Sequence, residues 1–276
     1  MIYVQLQGGL GNQLFQIFCG ISYALENNIK FNIIKTKLDK VSPVDNKSLR
    51  PTYFDNFLLN LSKFTCDNIN ILTYNEVSFI YNKIPNINKD FKINGYFQSP
   101  KYFENNYKSI IELIELDKQK AEIKDKYNEY FNNKNNISLH FRIGDLKNNK
   151  GHGPVLNTQY YRNALKIILE KDNTCDTILY FNEEQDNNTV ENIIKDIKKS
   201  YSQLNFIQCS YDIPDWEQLL LMSLCKHNII ANSTFSWWGS YFNLKQEKIV
   251  CYPSVWFGPK CNNSTKNLFP ENWVKV

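Results

Sequence analysis

The chain has 276 residues, 42% hydrophobic and 14% aromatic, with a net charge of +4. That content excludes a disordered chain, and the length allows one large α/β domain or two domains of about 130 residues. The mild positive charge is spread along the chain, without the one-sided Lys/Arg clustering of a nucleic-acid binder.

The stretch "IYVQLQ" alternates and is rich in β-branched residues, which predicts a strand. "GGLG" follows, then "NQLFQIFCGISYALEN", where Leu14, Phe15, Phe18, Ile21, Tyr23 and Leu25 recur at helical spacing. "KFNIIK" reads as a second strand, so the N-terminus has the strand–turn–helix–strand order of a parallel sheet. Residues 36–100 are less regular, ending in "KINGYFQSPKYF", a strand leading into a loop. From 104 to 132 the chain predicts a charged amphipathic helix. The polar "NNKNN" at 132–136 marks a boundary between domains 1–134 and 135–276.

The α/β rhythm then restarts. "ISLHFRIGD", "TILYFNEE", "LNFIQCS", "NIIAN" and "KIVCYP" predict strands, the last of them closing the series. "TQYYRNALKIILEK", "TVENIIKDIKKSY", "DWEQLLLMSLCKH" and "STFSWWGSYFNL" predict the intervening helices. Two Rossmann-like α/β halves imply a ligand cleft at the carboxyl ends of their strands.

Seven cysteines (19, 66, 175, 209, 225, 251, 261) form no CxxC pair and no ligand-like spacing with the three histidines. They predict reduced thiols in a cytosol-like compartment. No leader-like segment is visible, and "LLLMSLC" is far shorter than the roughly 20 residues a membrane span needs. The expectation is a soluble cytoplasmic protein, or one peripheral at a membrane.

Three segments at strand ends carry candidate chemistry. In "QGGLGNQLFQ", Gly8, Gly9 and Gly11 permit close backbone approach, and Asn12 and Gln13 stand at a helix start, though a tight strand-to-helix turn explains the segment equally well. In "LHFRIGD", His140 and Arg142 alternate onto one face, and a guanidinium suits a diphosphate. The plainer alternative is an Arg142–Asp145 ion pair holding a loop. In "NIIANSTFSWW", Asn232, Ser233, Thr234, Phe235 and Ser236 lead from a strand into a helix. Its hydroxyls and free amides suit an anion, and Trp237 and Trp238 would fix the helix. The alternative there is an ordinary N-cap ahead of an aromatic core helix.

Taken with "GYFQSPKYF" at 95–103, "YY..A" at 160–164 and "LMSLCKHNIIANSTFSWWGS", these segments resemble glycosyltransferase family 11, the α-1,2-fucosyltransferases. The resemblance runs from about residue 2 to residue 256. It implies a GT-B-like fold of two Rossmann-like domains facing a central cleft, with the acceptor on the N-terminal side and a GDP-sugar donor on the C-terminal side. The implied reaction is inverting transfer of L-fucose from GDP-fucose to the 2-hydroxyl of a terminal galactose-type glycan acceptor. By the same resemblance, Arg142, beside His140, binds the diphosphate. Ser233, Thr234 and Ser236 contact the β-phosphate, with Asn232 and Phe235 adjoining, and Gly9, Gly11, Asn12 and Gln13 form a cleft loop.

This chain departs from the family pattern at Ile143, where a second arginine is common, and at Phe181–Glu184, "FNEE" for "FSDD". Near the family's usual aspartate in the "DWEQLLLMSLCKH" segment it has Glu217 and Gln218. No D-x-D pair is present, so the expectation is catalysis without metal or other cofactor, with Asp145 or His152 as base. The competing expectations are transfer of another deoxyhexose such as rhamnose, and an inactive glycan-binding module of the same fold. No transmembrane or nucleic-acid partner is expected.

Overall fold

The computed structural model describes residues 1–35, 51–132, 134–144, 146, 153–261 and 263–276. The chain divides into two compact units, Met1–Gln119 with Asn263–Glu271, and Lys120–Asn262 with Asn272–Val276.

The first unit holds β1 (Ile2–Gln5), α1 (Leu10–Glu26), β2 (Phe31–Ile34), β3 (Thr65–Cys66), β4 (Leu72–Asn75), β5 (Phe91–Asn94) and α2 (Tyr107–Leu113). Its strands form a parallel sheet in the order β3-β2-β1-β5-β4. The two short strands β3 and β4 lie in the stretch whose sequence is least regular. Ile2, Val4, Ile33, Ile34, Phe91 and Ile93 are buried on this sheet, and Phe18 of α1 meets Phe103 edge-on at 5.4 Å. Gly20 lets α1 approach β1, since a Cβ there would lie 2.2 Å from Val4 Cγ2.

The helix expected over 104–132 is two helices, α2 and α3 (Leu116–Lys126). The break is at Glu115, whose φ of 52° turns the chain so that both Ile114 and Leu116 are buried. The contact division falls after Gln119, earlier than the polar stretch at 132–136. The reason is local, because residues from Lys120 onward bond within the second unit. Lys120 Nζ donates to Phe242 O at 2.7 Å, and Lys126 Nζ pairs with Glu217 at 2.9 Å.

The second unit follows the expected alternation: β6 (Asn136–His140), α4 (Thr158–Lys171), β7 (Thr177–Phe181), α5 (Asn187–Lys198), β8 (Asn205–Gln208), α6 (Asp215–Leu224), β9 (His227–Ile229), α7 (Thr234–Tyr241) and β10 (Val250–Tyr252). A further strand, β11 (Val274–Lys275), pairs with β10 at the edge, so "KIVCYP" is not the last. Two residues at the chain end carry too little pattern to be read in advance. The parallel order is β11-β10-β9-β6-β7-β8. Its core joins Ile137, Leu139, Ile178 and Ile229 with Tyr161, Leu165 and Ile168 of α4 and Val190 and Ile197 of α5.

Gly20→Val is expected to lower stability by about 1–3 kcal/mol, the usual cost of overpacking a close contact, partly offset by better helix propensity. Thermal or urea unfolding measures it, and an unchanged midpoint would mean that α1 can move off the sheet.

Candidate functional site

In an open parallel sheet, ligands bind where successive connections leave to opposite sides, because the loops there part. In the second unit this switch point lies between β6 and β9, since the chain goes from β6 to β7 and β8 on one side and returns to β9 on the other. Arg142 follows β6 and Ser233 follows β9. Arg142 Nη1 donates to Ser233 Oγ at 3.2 Å, bridging the switch point.

That bond also decides what Ser233 does. It is the N-cap residue of α7, with extended φ and ψ of −145° and 126°, yet its side chain makes no capping bond. The hydroxyl accepts from the guanidinium instead and keeps its own proton to donate. The first helical bond runs from Trp237 N to Ser233 O, so the preceding residues form the positive end of α7.

The rest of the helix is aromatic anchor. Trp237 and Trp238 are fully buried; Trp237 stacks on Tyr241 at 4.6 Å and lies 5.4 Å from Trp273, while Trp238 lies 5.0 Å from Phe242. Each such aromatic contact contributes about 0.5–1.5 kcal/mol beyond burial.

Thr234 and Phe235 are half-buried at the helix start, and the Phe235 ring sits 5.7 Å from His140. Ser236 is buried and donates to Ser233 O at 3.3 Å, so its proton is committed inside the first turn. Asn232 is buried too; its Nδ2 donates to Pro154 O at 3.1 Å and Trp256 O at 3.3 Å. Asp145 and His152 lie outside the described residues. Ile143, where an arginine was the family expectation, is buried in the unit's core, on the face away from Arg142.

One residue at this site was not singled out from the sequence. Asp186 is buried and its Oδ2 accepts from Gly144 N at 2.7 Å, tying the loop after β6 to the loop after β7. Its only sequence signal was its place just past "FNEE". Glu217 is buried and takes Lys126 Nζ and the Tyr127 hydroxyl, while Gln218 donates to Ile213 O at 2.8 Å. Both hold α6 to its own unit.

The first unit has its own switch point, between β1 and β5. Gly9 caps α1, and Asn12 and Gln13 donate their backbone N–H to its carbonyl at 3.0 Å. Gly8 has a φ of 77°, and a Cβ there would lie 2.4 Å from Asn12 Nδ2. Gly11 is buried within the first turn. Gln16 pins the turn through a reciprocal pair with the backbone of Gln7, at 2.9 and 3.1 Å.

A third cluster brings Asp172, Cys175 and His227 together, their ligand-type atoms within 4.8 Å, which their separation in sequence hid. Lys226 Nζ sits on Asp172 Oδ2 at 2.6 Å, and His227 Nε2 lies 2.9 Å from the same oxygen. Ile249 N donates to His227 Nδ1 at 2.9 Å, which leaves Nε2 to carry the proton and donate to Asp172. The lysine already supplies the positive charge this carboxylate needs.

The model of the family described as "Glycosyl transferase family 11" matches residues 1–276. The chain belongs to glycosyltransferase family 11. It is 32% identical over 190 residues to the O-antigen biosynthesis glycosyltransferase WbnK of Escherichia coli, covering 66% of this chain and 59% of that one. It is 26% identical over 302 residues to an alpha-1,2-colitosyltransferase of Escherichia coli, covering 100% of this chain and 99% of that one. Among solved structures it resembles a mutant of Arabidopsis thaliana FUT1 in complex with GDP, with a TM-score of 0.51 and 11% identity, over 90% of this chain and 69% of that one. The fold is the GT-B-like α/β class expected, and no described helix is long and apolar enough to cross a membrane.

In this family 11 glycosyltransferase, the electrostatics at the β6 end are set by burial. The enclosed Nδ1 of His140 has no hydrogen-bond partner among the described residues. Burial, and then the Arg142 charge, pull its pKa down to about 3. The ring is therefore neutral at pH 7, so the positive charge here belongs to Arg142. Because the folded pKa lies below the unfolded value near 6.5, protons favour the unfolded chain. Stability is complete above pH 6.5 and falls as pH drops toward 3, by up to about 1.4 kcal/mol per pH unit from this one group. His140→Asn is expected to flatten that part of the Tm-against-pH curve; an unaltered slope would show that the imidazole protonates freely in the folded state.

Proposed function

We propose that this protein is an inverting glycosyltransferase that moves L-fucose from GDP-fucose to the 2-hydroxyl of a terminal galactose-type sugar. The observation that carries the reading is the Arg142–Ser233 bond across the switch point, at the positive end of α7. A guanidinium, a hydroxyl with a proton to donate and the positive end of a helix match a diphosphate in charge and hydrogen-bond polarity. Membership of the family and the α-1,2 linkage in the name of a full-length relative support the same class of transfer.

In this reading the second unit holds the donor and the first the acceptor. The acceptor oxygen attacks the anomeric carbon as the bond to the diphosphate breaks, and GDP leaves with the electron pair. Arg142 and the start of α7 neutralise the charge developing on the leaving phosphate, a task for which no metal is needed. Asn232 holds the strand exit, and Thr234 and Phe235 flank the phosphate. The proton of the attacking hydroxyl passes to a base, for which Asp145 and His152 are the candidates.

A second reading has specific support, because the full-length relative is named for colitose rather than fucose. Colitose and fucose are both deoxyhexoses, so a change of donor sugar would leave the diphosphate machinery as it is.

Arg142→Ala is expected to lower kcat by about 10²–10³-fold, the usual loss on removing one preorganised donor to a developing anion. A radiolabelled-donor assay with GDP-fucose and a galactoside, with and without EDTA, measures this. Near-normal turnover in the variant would remove the assignment, and inhibition by EDTA would refute transfer without a metal. Calorimetry with GDP and UDP tests the nucleotide, tighter UDP binding being the outcome that refutes a GDP-sugar donor.

A further inference from the structure

The switch point of the first unit is bridged as well, by neutral groups. Gln98, in the loop after β5, donates from Nε2 to Asn12 Oδ1 at 2.9 Å, across to the start of α1 after β1. Gln13, next to Asn12, donates from Nε2 to Gly8 O at 3.1 Å and to Pro51 O at 3.0 Å. The amide N–H groups are thus used within the fold. The amide oxygens are not: Gln13 Oε1 and Gln98 Oε1 are both buried and have no hydrogen-bond partner among the described residues. Gln13 is fully buried and Gln98 is 7% exposed.

An unsatisfied buried acceptor costs about 1–3 kcal/mol, so two on residues at the start of α1 and bonded to it require an explanation. The backbone around Gln98 is costly too. Phe97 has a φ of 51°, in the left-handed region that a bulky residue rarely adopts. Glu76 holds it there, accepting from Tyr96 N at 2.7 Å and Phe97 N at 2.9 Å. Strain of this kind persists where it positions a functional group.

The polarity of these groups constrains a ligand. Two oxygens that only accept call for a partner that donates. Neither "LQGGLGNQLFQ" nor "NGYFQSP" contains a charged residue, so an anion finds no counter-charge on these segments. A neutral polyol supplies donors without needing one. We propose that Gln13 and Gln98 form a subsite that accepts hydrogen bonds from hydroxyls of the acceptor sugar, with Glu76 as the residue that positions it; this rests on the transfer proposed above.

The test is acceptor kinetics of Gln98→Met with methyl β-D-galactoside and its 3-, 4- and 6-deoxy analogues, GDP-fucose being the donor. Methionine keeps the length of glutamine and removes the acceptor oxygen, together with the Nε2 donor to Asn12. The expected result is a rise of at least about tenfold in KM for the galactoside, with GDP affinity unchanged, the scale set by leaving a hydroxyl unpaired in its site. One deoxy analogue should also be a poor acceptor for the wild type but no poorer than the parent sugar for the variant, since the two changes remove the same bond. An unchanged KM for the galactoside would overturn the proposal, because the oxygen would then make no bond to the sugar. A fall in GDP affinity, or equal penalties for every analogue in both proteins, would overturn it too.

Should the wild type transfer no fucose to any galactoside, the proposed function fails on its own account. The subsite is then read by saturation-transfer NMR with methyl β-D-galactoside. Binding that Gln98→Met abolishes upholds it, and absence of binding to the wild type removes it.

Discussion

The second unit depends on where its chain reverses direction. Between β6 and β9 the connections part to opposite sides of the sheet, so no crossover covers the strand ends there. Into that gap the sequence places a guanidinium after one strand and a hydroxyl after the next, and the two join at 3.2 Å. A bare arginine at a strand end would be one cation with several torsional freedoms. Bonded to Ser233, and with Gly144 of the same loop held by Asp186, it is directed beside the amides of α7. The tryptophan-rich body of the helix completes the arrangement: hydroxyls at the start of α7, and a buried aromatic mass just behind to keep them in place.

Much of this was legible before any coordinates. The alternation of strands and helices from 136 to 252 follows apolar periodicity closely, because each element buries a full face and its pattern is long enough to register. The helix Thr158–Lys171 coincides with "TQYYRNALKIILEK". What escaped were elements fixed by tertiary pairing alone. β3 and β11 have only two residues each, and the break at Glu115 sits inside a run whose helical propensity is continuous. The early unit boundary escaped for the same reason, as the ion pair between Lys126 and Glu217 joins residues far apart in sequence.

At the site, sequence indicated which residues flank the switch point but not how their hydrogen bonds are shared. Ser233 looked like a cap, and its hydroxyl serves Arg142 instead. Ser236 looked equivalent to Ser233, yet its proton is committed within the turn. Periodicity says which face a side chain occupies and nothing about competition between acceptors, which depends on angstrom-scale geometry. Asp186 and Gln98 belong to the same class. Each lies in a loop, outside any periodic pattern, and each acquires its meaning from one contact to a distant segment.

The two switch points differ in charge, and that difference is chemically informative. A side-chain hydrogen bond links the loops at each, but one bond starts from a permanent cation and the other from a neutral amide. A diphosphate carries its charge wherever it binds and must meet a counter-charge when desolvated. A sugar has no charge and is recognised by unpaired acceptors and donors of matching direction, since an unpaired buried hydroxyl costs as much as the bond it lacks. A transferase that joins a charged donor to a neutral acceptor needs one surface of each kind. In the transfer proposed above, Arg142 and the two buried glutamine oxygens would divide that need between the α/β units, because the same strand-order rule opens a crevice in each sheet and the residues at its lip decide what it can hold.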